Sequence, residues 1–389
     1  MTELQGNWNY PTSIRFGAGR IAELAEACSE LGIERPLLVT DPGVAALSIT
    51  AQALAVCRDG GLGVALFSEV RANPVDANVD AGVAAMRAGD HDGVIAFGGG
   101  SALDVGKTLA LMRGQSRPLW DFEDIGDNWT RADASAIAPI VAVPTTSGTG
   151  SEVGRCSVIV DESAHRKVVV FHPEMMPARV VADPALTLGL PPRVTAGVGM
   201  DALAHNLEAY LAPGFHPQAD GIAIEGIRLV DSALIRAVED GSDLTARSEM
   251  MAAALMGATA FQKGLGAIHS LSHPVGAHHD SHHGLTNGVF LPYVLVFNRP
   301  AIEERIVRLA RYLDLEDASF DGFLAWTLSL RAATGVPHSI DALGVTEAEA
   351  HDLAEEAVVD PTAATNPIPL DVPSLERMYR KALAGDLSP

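Results

Sequence analysis

The chain has 389 residues, 48% hydrophobic and 20% charged, which is enough for one large or two medium domains with substantial cores. Its formal net charge is -22 and no long run of Lys or Arg is present, so nucleic acid is excluded as an expected partner. The three cysteines lack CxxC spacing and no apolar run approaches about 18 residues, so we expect neither a disulfide framework nor a membrane span.

The first half of the chain alternates between short apolar runs and amphipathic segments. We predict strands at residues 36–41, 63–67, 93–97 and 138–143, with helices over 43–60 and 75–88. A strand pair is predicted at 157–160 and 167–171, followed by a strand at 178–182. This βαβαβ rhythm predicts a parallel sheet of the α/β class.

Asp41 ends the first of these strands. A carboxylate there can accept hydrogen bonds from a ribose and would repel a 2′-phosphate, which favours NAD over NADP. In an ordinary Rossmann unit this acid follows the glycine loop, whereas here it precedes it, so we expect a different topology. A helix N-cap is the alternative interpretation of Asp41.

Two polar loops follow the strands that end near Phe97 and Val143. Residues 98–101 are three glycines and a serine before a predicted helix, an arrangement that lets backbone and helix N–H groups hold a phosphate. Ser101 is also a candidate cap of that helix. Residues 144–151 are rich in hydroxyls. Each loop alone could be a simple turn, but together they predict a ligand crevice at the ends of neighbouring parallel strands.

After Pro191 the chain is mostly helical. Helices are predicted over residues 194–211, 217–240, 244–261, 264–277, 301–313, 321–334 and 347–359. We place a domain boundary near residue 188. The prediction is therefore an α/β dinucleotide-binding domain over residues 1–188 and an all-helical metal-binding domain over residues 189–389.

Acidic and imidazole side chains recur in this helical half. Asp201 and His205 are four residues apart, as are His269 and His273, so each pair lies on one helix face. Residues 278–283 add four histidines in a predicted loop. One Asp with three His suits Fe(II), Zn(II), Co(II) or Ni(II) rather than Ca(II) or Mg(II). The alternative is a set of unrelated core and surface histidines.

These motifs resemble the iron-containing (group III) alcohol dehydrogenase family over nearly the whole chain. The resemblance is carried by residues 98–101 with Asp104 and Lys107, 144–152, 183–184, 199–202 with His205, 269–273, 283–284 and 366–367. It implies a fold of the dehydroquinate synthase type, in which a parallel-sheet N-terminal domain binds the dinucleotide and an all-α C-terminal domain binds the metal.

The resemblance also implies residue roles. The metal ligands would be Asp201, His205, His269 and His283, with His273 as the catalytic residue beside nicotinamide and substrate. The metal would be Fe²⁺, with Zn²⁺ as the alternative, and the cofactor NAD. Candidate cofactor-binding residues are Asp41, Gly99, Gly100, Ser101, Asp104, Thr145, Thr146, Thr149 and Lys167.

Within the family, residues 145–155, 261–266 and 269–274 are most similar to those of bacterial NAD-dependent 4-hydroxybutyrate dehydrogenases. Arg155, Phe261 and Lys263 are therefore candidate substrate residues, since a cation near the metal can pair with a carboxylate. A structural or surface role for both charges is an equally good interpretation.

The resemblance thus implies a metal-dependent oxidoreductase that interconverts a small primary alcohol or hydroxy acid and its aldehyde with NAD(H). The candidate pair is 4-hydroxybutyrate and succinate semialdehyde. Open alternatives are a dehydroquinate-synthase-type lyase, a simple short-chain alcohol or diol dehydrogenase, a metal-free maleylacetate reductase and a non-catalytic sensor. We expect a small-molecule alcohol or aldehyde as partner, a cytoplasmic location, and a homodimer or higher homo-oligomer.

Overall fold

The computed structural model describes residues 12–164 and 166–388, together with the backbone of residues 6–8. The chain divides into two compact units. One comprises Met1–Thr146 and Gly150–Leu188, and the other Ser147–Thr149 and Gly189–Pro389. Residues 147–149 thus group with the helical unit, although the sequence placed them in the N-terminal domain. Whether the boundary near residue 188 separates independent domains stays a prediction.

The N-terminal unit is built on a seven-stranded sheet and a separate two-stranded hairpin. Its strands are β1 (Gly6–Trp8), β2 (Ser13–Phe16), β3 (Pro36–Val39), β4 (Ala65–Phe67), β5 (Gly93–Gly98), β6 (Ile140–Pro144), β7 (Cys156–Asp161), β8 (Arg166–Phe171) and β9 (Arg179–Ala182). Its helices are α1 (Leu24–Ser29), α2 (Pro42–Ala45), α3 (Ser48–Asp59), α4 (Asp76–Ala88) and α5 (Gly100–Met112).

The large sheet has the order β1-β2-β9-β6-β5-β3-β4. All its neighbouring strands are parallel except β1 and β2, while β7 and β8 form the antiparallel hairpin. Strands β3, β5 and β6 are buried along their whole length. Continuous apolar strands of this kind are typical of parallel sheets covered on both faces. The predicted α/β class is confirmed.

The register of β5 and β6 brings the two polar loops together. Gly98 pairs with Pro144, so both strands end at the same edge of the sheet. The Thr145 N–H then donates to the Gly98 carbonyl at 2.9 Å. The glycine turn and the hydroxyl-rich loop are therefore neighbours at the carboxyl ends of parallel strands, the position where open α/β sheets bind ligands.

The helix predicted over residues 43–60 is wrong, because the segment forms two helices. Leu47 is extended, with ψ 154°, between α2 and α3. The Thr50 hydroxyl donates to the Val44 carbonyl at 2.7 Å, a side-chain bond that competes with a continuous helical ladder. The short elements β1, β2 and α1 were also missed, because they are too short for a periodic pattern to be visible.

The second unit is helical, as predicted. Its helices are α6 (Pro192–Leu211), α7 (Pro217–Glu239), α8 (Leu244–Ala260), α9 (Ala267–His279), α10 (His283–Tyr312), α11 (Phe320–Ala333), α12 (Ala350–Val358) and α13 (Val372–Ala384). Among the described residues, no helix combines the length and apolar character that a membrane span requires. The cysteines Cys28, Cys57 and Cys156 are free thiols.

Helix α10 differs most from the sequence prediction, which began a helix at residue 301. The helix begins at His283 and continues through Pro292 and Pro300. Proline removes a helical hydrogen bond and usually ends the pattern, which is why the first half was missed. Phe290 and Leu291 are fully buried beside Pro292, so core packing outweighs the local cost of the proline.

Helices α6, α7 and α8 approach one another closely around Asn206. Its side chain is completely buried, and its Nδ2 donates to the carbonyls of Ala202 on α6 and Ala253 on α8 at 2.8 and 2.9 Å. A Cβ at Gly226 on α7 would lie 2.0 Å from Asn206 Oδ1. The absence of a side chain at Gly226 is therefore what lets α7 reach this position.

Gly226→Ala should lower the free energy of unfolding by about 1 to 3 kcal/mol, because the added methyl overpacks the contact with Asn206. The matched control is Gly221→Ala on the same helix, where a Cβ would meet no atom within 4 Å. That variant should be neutral or more stable, by up to about 1 kcal/mol, through helix propensity. Urea unfolding measures both, and equal effects would contradict the close-packing argument.

Candidate active site

One face of α6 carries three ionisable side chains in succession. Asp201, His205 and Glu208 follow at intervals of four and three residues, which aligns them along the helix. Their exposed fractions are 2%, 5% and 5%. Pro192 begins the helix at a position where proline is favoured. A buried helix face of this composition needs partners that compensate its polar groups.

Helices α9 and α10 bring histidines to this face. The Nε2 atoms of His205 and His269 each lie 3.9 Å from Asp201 Oδ1, and His283 Nε2 lies 3.5 Å from it. The His205 and His269 rings stack with centroids 4.6 Å apart. His283 was placed in a loop by the sequence, but it is the first residue of α10. His278 and His279 end α9, and His282 caps α10.

The donor set fits a first-row divalent metal. Metal–nitrogen and metal–oxygen bonds are about 2.0 to 2.2 Å, so two ligands of one ion stand about 3 to 4 Å apart, as these atoms do. The ligand atoms of Asp201, His205 and His269 all lie within 4.8 Å of one another. One carboxylate with imidazole nitrogens suits Fe(II) or Zn(II).

Burial and the neighbouring carboxylates shift the pKa values of His205 and His269 in opposite directions. Desolvation lowers the pKa of His205 from 6.5 to about 4, so the ring is neutral and its lone pair is available as a ligand. Burial alone would lower the pKa of His269 as well, but the carboxylates of Glu208 and Asp201 outweigh it and raise this pKa.

Asn287, one turn after His283 on α10, lies inside the cluster. Its Nδ2 donates to Asp201 Oδ1 at 2.8 Å and lies 3.3 and 3.1 Å from the Nε2 atoms of His269 and His283. The amide thereby fixes one oxygen of Asp201. Asn287 was not predicted as a site residue, although its spacing from His283 repeats the four-residue step of the other pairs.

His273 stands at the border of the cluster. Its ring stacks on His283 with centroids 5.3 Å apart, and its side chain is 22% exposed. Nδ1 lies 2.8 Å from Asp360 Oδ2, which leaves Nε2 for another partner. Burial alone would raise the pKa of Asp360, but His273 and Thr362 hold it down to about 2. Asp360 was not predicted from the sequence either, because it lies 87 residues from His273 along the chain.

The glycine turn in the N-terminal unit begins with a conformation that favours glycine. Gly98 has φ 146°, and Gly99 is the N-cap of α5 without a side-chain cap. The prediction that Ser101 caps the helix is wrong, because the Ser101 hydroxyl donates to the Ala72 carbonyl. The first N–H groups of α5 are therefore free of a side-chain cap, as a phosphate site requires.

Asp104 and Lys107 connect α5 with the segment after β6. Asp104 accepts hydrogen bonds from the Ser151 hydroxyl at 2.5 Å and the Val158 N–H at 2.9 Å. The Lys107 ammonium is 1% exposed and donates to the Ser151 carbonyl at 3.0 Å and to the Cys156 carbonyl. These bonds connect α5 to Ser151 of the second polar loop and to β7.

The remaining cofactor candidates are distributed over both units. Asp41 caps α2 by accepting the Val44 N–H at 3.0 Å, which is the alternative that the sequence left open. Thr145 is buried beside Gly98, and the Thr146 side chain lies 3.4 Å from where a Cβ of Gly99 would be. The other two positions are Lys167 on β8 and Thr149 in the segment that groups with the helices.

The two candidate substrate cations both have partners. The Lys263 ammonium is 2% exposed and contacts Asp220 Oδ1 at 2.5 Å and the Tyr210 carbonyl at 3.2 Å. The Arg155 guanidinium lies 5.5 Å from the centre of the Phe171 ring. Phe261 packs against His205, with ring centroids 5.2 Å apart. Lys263 is thus paired within the helical unit, with an Asp220 oxygen that Arg305 also contacts at 3.0 Å.

Known proteins resemble the chain over both units. Residues 11–184 match the family described as iron-containing alcohol dehydrogenase, and residues 195–383 match the C-terminal part of the Fe-containing alcohol dehydrogenase family. The chain is 39% identical to a 4-hydroxybutyrate dehydrogenase of Cupriavidus necator, covering 96% of this chain and 99% of that protein.

Solved structures agree with these matches. A 1,3-propanediol oxidoreductase superposes with a TM-score of 0.91 at 32% identity, covering 98% of this chain and all of that one (100%). A sulfoacetaldehyde reductase from Bifidobacterium kashiwanohense in complex with NAD+ superposes with a TM-score of 0.88 at 28% identity, covering 99% and 100% of the two chains.

A buried acid beside the polar loops gives a pH-dependent prediction. Burial raises the pKa of Glu152 from 4.5 to about 7, outweighing the attraction of Lys107. The folded state therefore prefers the protonated carboxyl. The contribution of Glu152 to the free energy of unfolding is therefore largest below pH 4.5, and it is lost as the pH rises through 7.

Glu152→Gln removes this titration. From pH 5 to pH 8, the unfolding free energy of the parent should fall by about 2 to 3 kcal/mol more than that of the variant. Urea unfolding at the two pH values measures the difference. Parallel pH profiles for both proteins would show that Glu152 is not held protonated.

Proposed function

The chain belongs to the iron-containing alcohol dehydrogenase family, and from this premise we propose that it interconverts a small primary alcohol and its aldehyde with NAD(H). The observation that carries the proposal is the buried convergence of Asp201, His205 and His269, with His283 beside them. This intact ligand set argues against a metal-free reductase, and the relatives argue against the lyase and sensor alternatives. A cytoplasmic location and a homo-oligomer remain predictions.

We assign the metal to Asp201, His205, His269 and His283, with Fe(II) preferred and Zn(II) as the alternative. Such an ion, when bound, supplies Lewis acidity that lowers the pKa of an alcohol. Asn287 holds the Asp201 carboxylate in place, and the low pKa of His205 keeps its lone pair available. His205 is thereby a preformed neutral ligand, whereas His269, whose pKa is raised by Glu208 and Asp201, would release a proton when it binds the metal.

His273 receives the alcohol proton in this proposal. Because Nδ1 is bonded to Asp360, Nε2 is the free acceptor, and partial exposure of the ring gives the proton a route to water. The bond to Asp360 also fixes the orientation of the ring. Asp360 is thus proposed to position His273, in the way that a carboxylate orients a catalytic imidazole in other enzymes.

We assign the nucleotide to the glycine turn, with the pyrophosphate at Gly99, Gly100 and Ser101. The uncapped start of α5 and the left-handed Gly98 support this assignment. NAD, when bound, supplies the hydride acceptor. Asp41 is proposed to favour NAD over NADP, and the remaining cofactor contacts are proposed for Asp104, Thr145, Thr146, Thr149 and Lys167.

The first substrate candidate is 4-hydroxybutyrate, supported by the 39% identical relative of that specificity. Arg155 is then the cation for the carboxylate. A neutral alcohol or diol is the second candidate, and a specific observation favours it: the Lys263 charge is already paired with Asp220. The solved 1,3-propanediol oxidoreductase is a relative of that second kind.

The enzyme reconstituted anaerobically with Fe(II) or Zn(II) should reduce NAD+ with a primary alcohol, and chelation should abolish the reaction. NADH absorbance is followed with ethanol, 1,3-propanediol and 4-hydroxybutyrate. His269→Ala should lose metal and turnover together, whereas His278→Ala, an exposed histidine paired with Glu356, should keep both. Retained iron and normal turnover in His269→Ala would contradict the assignment of His269 as a metal ligand.

The Arg155→Gln variant separates the two substrate candidates. Loss of a charge-assisted pair should raise KM for 4-hydroxybutyrate about tenfold and leave KM for 1,3-propanediol unchanged. Equal changes for both alcohols would discard the carboxylate pocket and keep the dehydrogenase.

Asp41→Asn tests the choice of cofactor. The amide oxygen can still accept the Val44 N–H, so α2 stays capped, but the negative charge is removed. The ratio of kcat/KM for NADP+ to that for NAD+ should rise about tenfold, because a 2′-phosphate is no longer repelled. An unchanged ratio would leave Asp41 with the capping role alone.

A further inference from the structure

Glu208 is a buried carboxylate one turn beyond His205, and the proposed chemistry gives it no task. Its two oxygens have separate partners. Oε2 lies 2.6 Å from His269 Nδ1, and Oε1 accepts the Ile268 N–H at 2.6 Å. Among the described residues no Lys or Arg pairs with it. Both oxygens are therefore committed to the start of α9.

We infer that Glu208 is a positioning residue for the metal centre, which sets the tautomer of His269 and fixes the start of α9 against α6. This inference rests on the metal site of the proposed function. With Nδ1 donating to Glu208, Nε2 carries the lone pair, and Nε2 is the atom that faces Asp201. A ligand histidine is commonly fixed in this way by an acceptor behind it.

The start of α9 is shaped to admit this carboxylate. A Cβ at Gly266 would lie 3.0 Å from Glu208 Oε1 and 2.9 Å from Asn366 Oδ1. Asn366 Oδ1 accepts the Ala267 N–H at 3.1 Å, so the first two N–H groups of the helix are bound by distant side chains. The positive end of the helix dipole also favours the negative charge of Glu208.

An amide cannot replace this carboxylate, because both partners require an acceptor. If the oxygen of an introduced glutamine faced the Ile268 N–H, its NH2 would donate to Nδ1 and force the His269 proton onto Nε2, towards the other ligands. If that oxygen faced Nδ1 instead, the NH2 would oppose the Ile268 N–H. Either arrangement weakens His269 as a ligand without changing the size of the side chain.

The test measures metal affinity directly, with Co(II) as probe, by competition with a chelator and by visible absorption. Glu208→Gln should weaken Co(II) binding about 10- to 100-fold and alter the spectrum, while the far-UV circular dichroism of the apoprotein is unchanged. The matched control is Glu249→Gln on α8, where the carboxylate contacts Ser232 and Arg236. Its affinity should equal that of the parent.

Glu208→Asp retains the charge and both acceptors but withdraws them by one methylene. It should bind Co(II) more weakly than the parent and more tightly than Glu208→Gln. Two results would overturn the inference: Co(II) affinity in Glu208→Gln equal to that of the parent, or weaker Co(II) binding by Glu208→Asp than by Glu208→Gln. If Glu208→Gln does not fold, Glu208→Asp decides alone. Weaker Co(II) binding than the parent then supports the inference, and parent-like binding overturns it. Failure of the parent itself to bind Co(II) would instead reject the proposed metal centre.

Discussion

The helical unit is organised around the charge of Asp201. Asp201 and Glu208 are both almost completely buried, and in the described parts of the chain neither has a Lys or Arg partner. Burying an unpaired carboxylate costs several kcal/mol, so the site needs compensating donors or positive charge. Asn287 and the imidazoles supply part of this, and the two carboxylates raise the pKa of His269, which favours positive charge on that ring. A divalent cation would also balance the carboxylates, so electrostatic balance and ligand chemistry both favour such an occupant.

Placing such a site in a protein interior requires helices to approach closely. A Cβ at Gly284 would lie 2.1 Å from the Gly197 carbonyl oxygen, so α10 can begin against α6 only because residue 284 is glycine. This close approach of α10 to α6 places the neighbouring His283 beside Asp201. The same reasoning applies at Gly226, where α7 meets Asn206.

The sequence predicted what depends on local periodicity. Asp201 with His205, and His269 with His273, were recognisable because one helix fixes each pair, and Glu208 lies one turn further on the same face. The start of α10 at His283 was not predictable, since Pro292 interrupts the periodic pattern and the helix continues there only because of its packing. The ion pair of Lys263 was equally hidden, because its partner Asp220 is 43 residues away. A cation in a sequence is a candidate for substrate binding only until its tertiary partners are known.

The glycines of the turn and of α5 also meet two kinds of requirement, one on local backbone conformation and one on tertiary packing. In the Rossmann fingerprint, one glycine makes the tight turn, a second lets the backbone approach the pyrophosphate, and a third lets the helix pack on the strand. Here Gly98 has the required positive φ, Gly99 precedes the helix, and a Cβ at Gly106 would lie 2.6 Å from that of Ala96 on β5. The turn and the close packing on the strand thus fall to glycines at a different spacing, and the approach to the pyrophosphate is the role proposed for Gly99. Asp104 and Lys107 follow the turn on α5 and bond to Ser151, so the charged residues of the motif connect the helix to the second loop.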